Sequence, residues 1–319
     1  MLKYMIVHLD DTAVSFCHYA NTKTERRLIP LGMLKESLFW SMKENLNVQF
    51  VYPDYELPEE YKAAIDSVDH ADIVSSRCTD TALKASADVI VFDTLTAFSE
   101  AKLSQEQAAV VRITLSEFVE GIETVVKALP SLARLNVVFT DVEKFTEEVE
   151  GKYAEALKTL GEAVCIEYEN GHSVQCNLLT DRIMLEKMNN CNAGDEHITL
   201  APNGEFYICP AFYLDGKEGF SVGDIEKGLD IKNPQLYKLS HAPICRECDA
   251  YQCKRCVWLN RRMTLEVNTP SRQQCVMAHV ERNASRDLLS SIRRIGQFMP
   301  EVEISEINYL DPFDKITKR

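Results

Sequence analysis

Long apolar runs are missing from this chain of 319 residues. No uncharged stretch approaches the roughly 18 residues that a membrane-spanning helix needs. The apolar run between Met1 and Asp10 is too short for a signal peptide. We therefore expect a cytoplasmic protein without a membrane partner.

Positive charge is also scarce. The chain has 35 Lys and Arg residues against 49 Asp and Glu residues, which gives a formal net charge of -14. Sequence-independent affinity for phosphate backbones comes from concentrated Lys and Arg, so we expect no nucleic-acid partner. An acidic surface mainly indicates solubility.

Glycine is rare in the first 190 residues, which contain only five of the twelve in the chain. This part alternates short β-branched or apolar runs with segments of helical period, a pattern typical of strand-helix units around a parallel sheet. We expect helices across residues 33–46, 118–129 and 142–160, two of which cover the sheet. The predicted strands are Lys3 to Leu9, Val48 to Tyr52, Asp88 to Phe92, Val110 to Ile113 and Leu135 to Thr140.

The strand-helix rhythm stops after this region, and six glycines crowd into residues 191–230. We place a domain boundary near residue 185. The expected organisation is an α/β domain at 1–185, a small loop-rich domain at 186–285, and a helix with a tail at 286–319 that packs back on the first domain.

The eleven cysteines are unevenly distributed, because only four precede residue 190. Without a secretory signal, clustered cysteines indicate metal or redox chemistry rather than a disulfide framework. Cys78, Cys165 and Cys176 lack partners at ligand spacing, so we assign them no role. The candidate metal ligands are Cys191, Cys209, Cys245, Cys248, Cys253, Cys256 and Cys275.

Spacing within this set bears on which metal is bound. A hairpin with a Pro-Asn-Gly turn places Cys209 at a strand end, and two Cys-x-x-Cys pairs follow with four residues between them. Zinc ribbons separate such pairs by about 12 or more residues. One zinc ion would also leave three of the seven cysteines unused. The count favours two iron–sulfur clusters, and zinc remains the alternative.

The order of the seven cysteines resembles the SPASM domain, the auxiliary-cluster module fused to radical SAM enzymes that modify peptides and proteins. The spacing departs from the family, which has one residue more on each side of Cys253. The resemblance implies that two four-iron clusters are bound, one of which has an open ligand position. It assigns Cys245, Cys248, Cys253 and Cys275 to one cluster, and Cys191, Cys209 and Cys256 to the open one.

A SPASM domain implies a radical SAM partial (β/α) barrel before it, in which a Cys-x-x-x-Cys-x-aromatic-Cys loop follows the first strand. Here that loop keeps Cys17 and the aromatic Tyr19, but Ala13 and Ala20 occupy the outer cysteine positions. A cluster that leaves one iron free for methionine needs three thiolates. We therefore expect that the chain does not cleave S-adenosylmethionine by itself, and we do not expect this cofactor.

The degenerate loop, with the segment from Phe50 to Tyr61, resembles the CXXX repeat peptide maturase family over the whole chain. The resemblance implies maturation of a small, ribosomally made, cysteine-rich precursor peptide. Beyond the resemblance, we expect the clusters to bind the peptide or relay electrons, and a partner modification enzyme is a candidate participant. Whether the chain is itself an enzyme stays open. The alternative function is a non-catalytic peptide-binding or partner protein stapled by zinc or a cluster.

Catalytic residues are not identified by the sequence. Cys17 and His18 are the candidates, since a thiol beside an imidazole can act as a nucleophile, in disulfide exchange or as a metal ligand. A thiol or metal-delivery enzyme that uses Cys17 is a third interpretation. His197, His241 and His279 lie near the cysteines in sequence, and one of them is a candidate for the open cluster position.

Overall fold

A computed structural model gives the fold of the chain and describes residues 2–104, 106–185, 188, 190–215, 219–253, 255–296 and 298–305. The strands are β1 (Tyr4–His8), β2 (Asn47–Val51), β3 (His70–Ser75), β4 (Val89–Phe92), β5 (Ala108–Ile113), β6 (Arg134–Phe139), β7 (Gln175–Cys176), β8 (His197–Leu200), β9 (Glu205–Tyr207), β10 (Ser221–Asp224) and β11 (Gly228–Leu229). The helices are α1 (Leu31–Lys43), α2 (Glu59–Ile65), α3 (Thr81–Ser86), α4 (Leu95–Ser99), α5 (Leu115–Glu120), α6 (Ile122–Ala128), α7 (Glu147–Glu169), α8 (Thr180–Ile183), α9 (Pro210–Leu214), α10 (Val257–Thr264) and α11 (Arg272–Ile295).

The chain folds into two compact units, each made from two separate segments. Unit 1 comprises residues 1–91 and 191–242, and unit 2 comprises residues 92–190 and 243–319. The boundaries expected near residues 185 and 285 stay a prediction. The predicted tail lies largely outside the described residues, which end at Ser305.

Unit 1 is built around β1, which pairs in parallel with β2 on one side and with β8 on the other. From β8 the strand order continues through β9 and β10 to β11, and from β2 it continues through β3 to β4. Helix α1 packs on one face of this sheet, where the rings of Trp40 and Phe206 lie 5.0 Å apart. Side chains alternate along a strand, so residues next to Phe206 in sequence point to the opposite face.

The β8–β9 hairpin confirms the predicted Pro-Asn-Gly turn. Gly204 has a φ of +85°, and a Cβ atom there would lie 2.6 Å from Sδ of Met33. Only glycine fits this position without strain. Strand β9 then leads through Ile208 to Cys209, which immediately precedes α9 and thus lies just after the strand end, as predicted.

Unit 2 contains the parallel strands β5, β6 and β7 and the long helices α7 and α11. Its core holds the rings of Phe118, Phe139, Phe145 and Tyr153, whose neighbouring centroids are 5.4–5.8 Å apart. Aromatic pairs in this range contribute beyond their buried area. Among the described residues, no helix is long and apolar enough to span a membrane.

All five predicted strands are confirmed, with ends that differ by at most two residues. The helix predicted across 118–129 is wrong in its continuity, because it breaks at Gly121 into α5 and α6. The helix predicted from residue 142 begins at Glu147, after a short 3-10 turn at 142–144, and continues to Glu169.

Candidate metal centre

Four of the seven predicted ligands line one small cavity in unit 2: Cys245, Cys248, Cys253 and Cys275. We call it the four-thiol cavity. Cys245 and Cys248 share a tight turn, in which the Cys248 amide donates to the Cys245 carbonyl at 3.1 Å. Cys275 lies in the first turn of α11, whose start is fixed by a capping box between Ser271 and Gln274. Two loops and a helix end therefore bring the four thiols to one place.

The walls of the four-thiol cavity are mainly apolar, through Met188, Ile244, Ala250, Pro270 and Ala278. Such walls exclude water and lower the local dielectric constant, so a charge in the cavity depends on donors from the protein.

Several donors do approach the sulfurs. The backbone amides of Ala250 and Arg255 donate to Sγ of Cys248 at 3.5 Å and of Cys253 at 3.3 Å. Nε2 of His279 lies 3.9 Å from the Cys248 sulfur. Hydrogen bonds to thiolate sulfurs are one of the means by which proteins stabilise and tune metal–sulfur centres.

Without a metal ion, the neutral thiol form is favoured at Cys245 and Cys253. Burial, followed by the neighbouring Cys253, raises the pKa of Cys245 to about 12, while Arg255 acts in the opposite direction. Burial also raises the pKa of Cys253 to about 11. A bound cation reverses this preference, because a coordinating thiol loses its proton. Four thiols in an apolar pocket with amide donors thus fit a soft, thiolate-bound metal centre.

The sulfur positions do not yet form a coordination sphere. Across the parts of the chain that the structure describes, no group of three or more His, Cys, Asp or Glu side chains is arranged to hold a metal ion. The predicted ligand roles therefore stay a prediction, and the shared cavity is what the structure adds to them.

The other three predicted ligands do not line this cavity. Cys191 and Cys209 belong to unit 1, and Cys256 precedes α10 in unit 2. Burial raises the pKa of Cys209, and the nearby thiols of Cys191 and Cys17 add to this effect. Unit 1 thus brings Cys191, Cys209 and Cys17 into one neighbourhood. The assignment of Cys256 to the same cluster stays a prediction.

The three candidate histidines have different surroundings. His279 is buried at the four-thiol cavity, whereas His241 is exposed. Nδ1 of His197 lies 2.7 Å from the Cys191 carbonyl oxygen, and burial lowers the pKa of His197 to about 4. The structure thus places His279 beside the Cys248 thiol and His197 beside the backbone of Cys191.

The loop that follows β1 is pinned by two aspartates. Asp10 is fully buried and accepts hydrogen bonds from the Thr12 amide at 2.8 Å and from the Tyr55 hydroxyl at 2.9 Å. Asp11 accepts a hydrogen bond from the Tyr213 hydroxyl, and Nζ of Lys23 lies 3.7 Å from its carboxylate. Hydrogen bonds to charged groups are worth about 1.5–3 kcal/mol each, so this loop is ordered by its own side chains.

Cys17 and His18 lie in this loop and are half-buried. A catalytic role for the two stays a prediction.

Sequence patterns missed the charged residues that support the cysteine loops. Arg182, Arg255, Glu281 and Arg282 are each less than 5% exposed. Arg255 had a signal, since it lies between two predicted ligands. No sequence pattern pointed to Arg182, Glu281 or Arg282, because charged side chains are normally expected at the surface.

No protein-family model and no curated protein matches the sequence. Among solved structures, native anSMEcpe with bound AdoMet and Cp18Cys peptide has a TM-score of 0.61 and 13% identity, over 92% of this chain and 99% of that one. A hexahistidine-tagged anSMEcpe with bound AdoMet has a TM-score of 0.59 and 13% identity, over 92% of this chain and 100% of that one. SuiB of Streptococcus suis bound to S-adenosylmethionine has a TM-score of 0.51 and 10% identity, over 86% of this chain and 77% of that one.

At these identities the likeness shows the fold alone. The predicted fold class is confirmed: an α/β fold with a partial (β/α) barrel of the radical SAM type, followed by a loop-rich cysteine region. The expectation that S-adenosylmethionine is not bound finds no support, because the solved structures of this fold include ones that hold it.

Proposed function

We propose that Cys245, Cys248, Cys253 and Cys275 hold an iron–sulfur cluster, and that the chain takes part in the maturation of a ribosomally made peptide with Cys-x-x-x repeats. The observation that carries this proposal is the position of four thiols around one apolar cavity. Thiolates select soft metals and iron–sulfur clusters. When bound there, a cluster supplies one-electron transfer.

The residues of the chain set the surroundings of that centre. Met188, Ile244, Pro270 and Ala278 limit the access of water to the sulfurs, of which Cys245 is buried and the other three are half-buried. The amides of Ala250 and Arg255 offset negative charge at Cys248 and Cys253. These groups favour retention of an anionic, thiolate-bound centre in a low-dielectric pocket.

In this proposal the other three predicted ligands form the site that binds the peptide. Cys191, Cys209 and Cys256 hold a second cluster with one open position, which a thiol of the peptide completes. A solved protein of the same fold carries a Cp18Cys peptide, which supports a peptide partner. Maturation of the peptide takes place in the cytoplasm, where thiols stay reduced. A partner modification enzyme takes part in it.

The first experiment measures iron, acid-labile sulfide and zinc in anaerobically purified protein. About eight irons and eight sulfides per chain are expected for two four-iron clusters. Cys253→Ala should remove about four irons, whereas Cys165→Ala, which changes a thiol on α7, should remove none. About one zinc without sulfide would contradict the proposal and favour the zinc-stapled binding protein, because four thiols also suit tetrahedral zinc.

A second experiment tests the peptide. A synthetic peptide with cysteine at every fourth position should bind the cluster-loaded protein, and the same peptide with serine at those positions should not. Equal binding of both peptides would refute recognition through thiols. If Cys17→Ala leaves processing of the peptide intact, catalysis by the Cys17 thiol is excluded.

A further inference from the structure

The segment 249–252 connects the two Cys-x-x-Cys pairs of the four-thiol cavity, and it is tied at both ends. At its start, Arg282 donates to the Asp249 carboxylate at 2.6 Å and to the Asp249 carbonyl at 3.3 Å. At its end, Arg182 donates to the Gln252 carbonyl. The residues on either side of this segment are Cys248 and Cys253.

Both arginines are buried and have fixed partners. The side chains of Arg182 and Arg282 are 2% and 4% exposed. Arg182 also donates to Glu281 at 2.5 Å and to the Leu178 carbonyl at 2.7 Å. A guanidinium group carries its donors in a rigid planar fork, so several simultaneous acceptors fix its orientation.

Helix α11 organises both ties, because Arg182, which lies on α8, is held by Glu281 of α11. Glu281 and Arg282 are adjacent on α11, the helix that carries Cys275 in its first turn. Through Glu281 the helix holds Arg182 against the end of the segment, and through Arg282 it holds the start. The position of Cys275 relative to Cys248 and Cys253 is therefore set by contacts to α11, which are direct through Arg282 and pass through Arg182 of α8 at the other end.

We propose that Arg182 and Arg282 are positioning residues, which fix the segment 249–252 and thereby the separation of the Cys248 and Cys253 sulfurs. This inference rests on the proposed function, since it concerns the same four ligands. A short connection of four residues has few conformations that turn both flanking thiols inward. Ties at its two ends select one of them before a metal ion arrives, so that less ordering remains for the metal to impose.

The test uses Co²⁺ as a probe of the metal-free thiols. The titrations are made on the full chain with Cys191, Cys209 and Cys256 replaced by serine, so that thiolate-to-cobalt absorption reports the four-thiol cavity. The informative variants are Arg282→Gln and the double variant Arg182→Met with Glu281→Met. The double variant replaces a buried ion pair by apolar side chains, a change that proteins often tolerate. Arg286→Gln is the matched control, since Arg286 lies on the same helix α11 and pairs with the exposed side chain of Asp287.

We expect Arg282→Gln and the double variant to bind Co²⁺ about 10–100-fold more weakly, the range found for residues that orient metal ligands. The control should stay within about twofold. Arg282→Lys keeps the charge but loses the fork, so it should restore only part of the affinity. Melting temperatures measured in parallel show that each variant is folded.

The possible outcomes separate the two proposals. If both informative variants are folded and bind Co²⁺ as the control does, the arginines only stabilise the fold and the inference is wrong. If the unaltered chain contains zinc and no sulfide, the iron–sulfur proposal fails, while the Co²⁺ series still decides the role of the arginines. If the unaltered chain binds no metal at all, both are refuted.

Discussion

Replacement of Glu281 by Gln tests the buried charge network of unit 2 most directly. The Glu281 side chain is 1% exposed and accepts hydrogen bonds from Arg182 and from the Tyr153 hydroxyl, both at 2.5 Å. Glu281→Gln keeps the shape of the side chain but removes its charge. The guanidinium of Arg182, itself 2% exposed, is then left in the interior without its counter-ion.

The expected cost follows from that geometry. Removing one partner of a buried ion pair costs about 3–5 kcal/mol, because the remaining charge is uncompensated. Tyr153→Phe removes a single hydrogen bond to the same carboxylate, and the expected cost is about 1.5–3 kcal/mol. Both changes act on one carboxylate. The variant that combines Glu281→Gln with Tyr153→Phe should therefore be less destabilised than the sum of the two separate costs.

The assay is urea unfolding followed by far-UV circular dichroism, with the free energy of unfolding compared between variants. Glu155→Gln is the control, because it changes an exposed carboxylate on α7 and should stay within about 0.5 kcal/mol of the unaltered chain. The reasoning is refuted if Glu281→Gln costs no more than the control. It is also refuted if the costs of the two substitutions add in full.

Three further predictions concern other parts of the molecule. Burial lowers the pKa of His8 from an ordinary value near 6.5 to about 3, so between these values only the unfolded chain takes up this proton. The free energy of unfolding should therefore fall by about 3 kcal/mol more between pH 7 and pH 4 in the unaltered chain than in His8→Phe, and equal losses in urea titrations would contradict this. Gly151→Ala in α7 meets no atom within 4 Å and should raise the free energy of unfolding by about 0.5–1 kcal/mol; a decrease would count against it. Tyr55→Phe removes a donor to buried Asp10 and should cost about 1.5–3 kcal/mol in the same titration, and an unchanged value would show that Asp10 does not need the Tyr55 hydroxyl.

Strands β1, β4 and β5 could be predicted because each contains a continuous apolar run, which is typical of strands in a parallel sheet covered on both faces. Strand β3 was not predicted, because His70 and Asp72 interrupt its apolar pattern. The break between α5 and α6 had one local signal, Gly121. A Cβ atom there would lie 2.2 Å from Cδ1 of Leu95 and 2.7 Å from the Glu117 carbonyl, contacts that the sequence does not reveal.

The candidate site could be predicted only where its cysteines lie close together in sequence. Three of the four cavity cysteines lie within nine consecutive residues, 245–253. The Arg182–Glu281 pair was not predictable, because its partners are 99 residues apart and each looks like a surface residue in its own segment. The division into units also depends on such distant pairing, since β1 meets β8 only in the folded chain.

That pairing of β1 with β8 has a consequence for synthesis on the ribosome. The two strands begin at Tyr4 and His197, so 192 residues are translated between these two positions. At about 5–20 residues per second, β1 waits roughly 10–40 s for this neighbour. During that time one edge of a buried, apolar strand stays open, and open edges are where chains pair wrongly. A nascent chain of this protein should therefore depend on chaperones that cover β1 until the cysteine-rich part has left the ribosome.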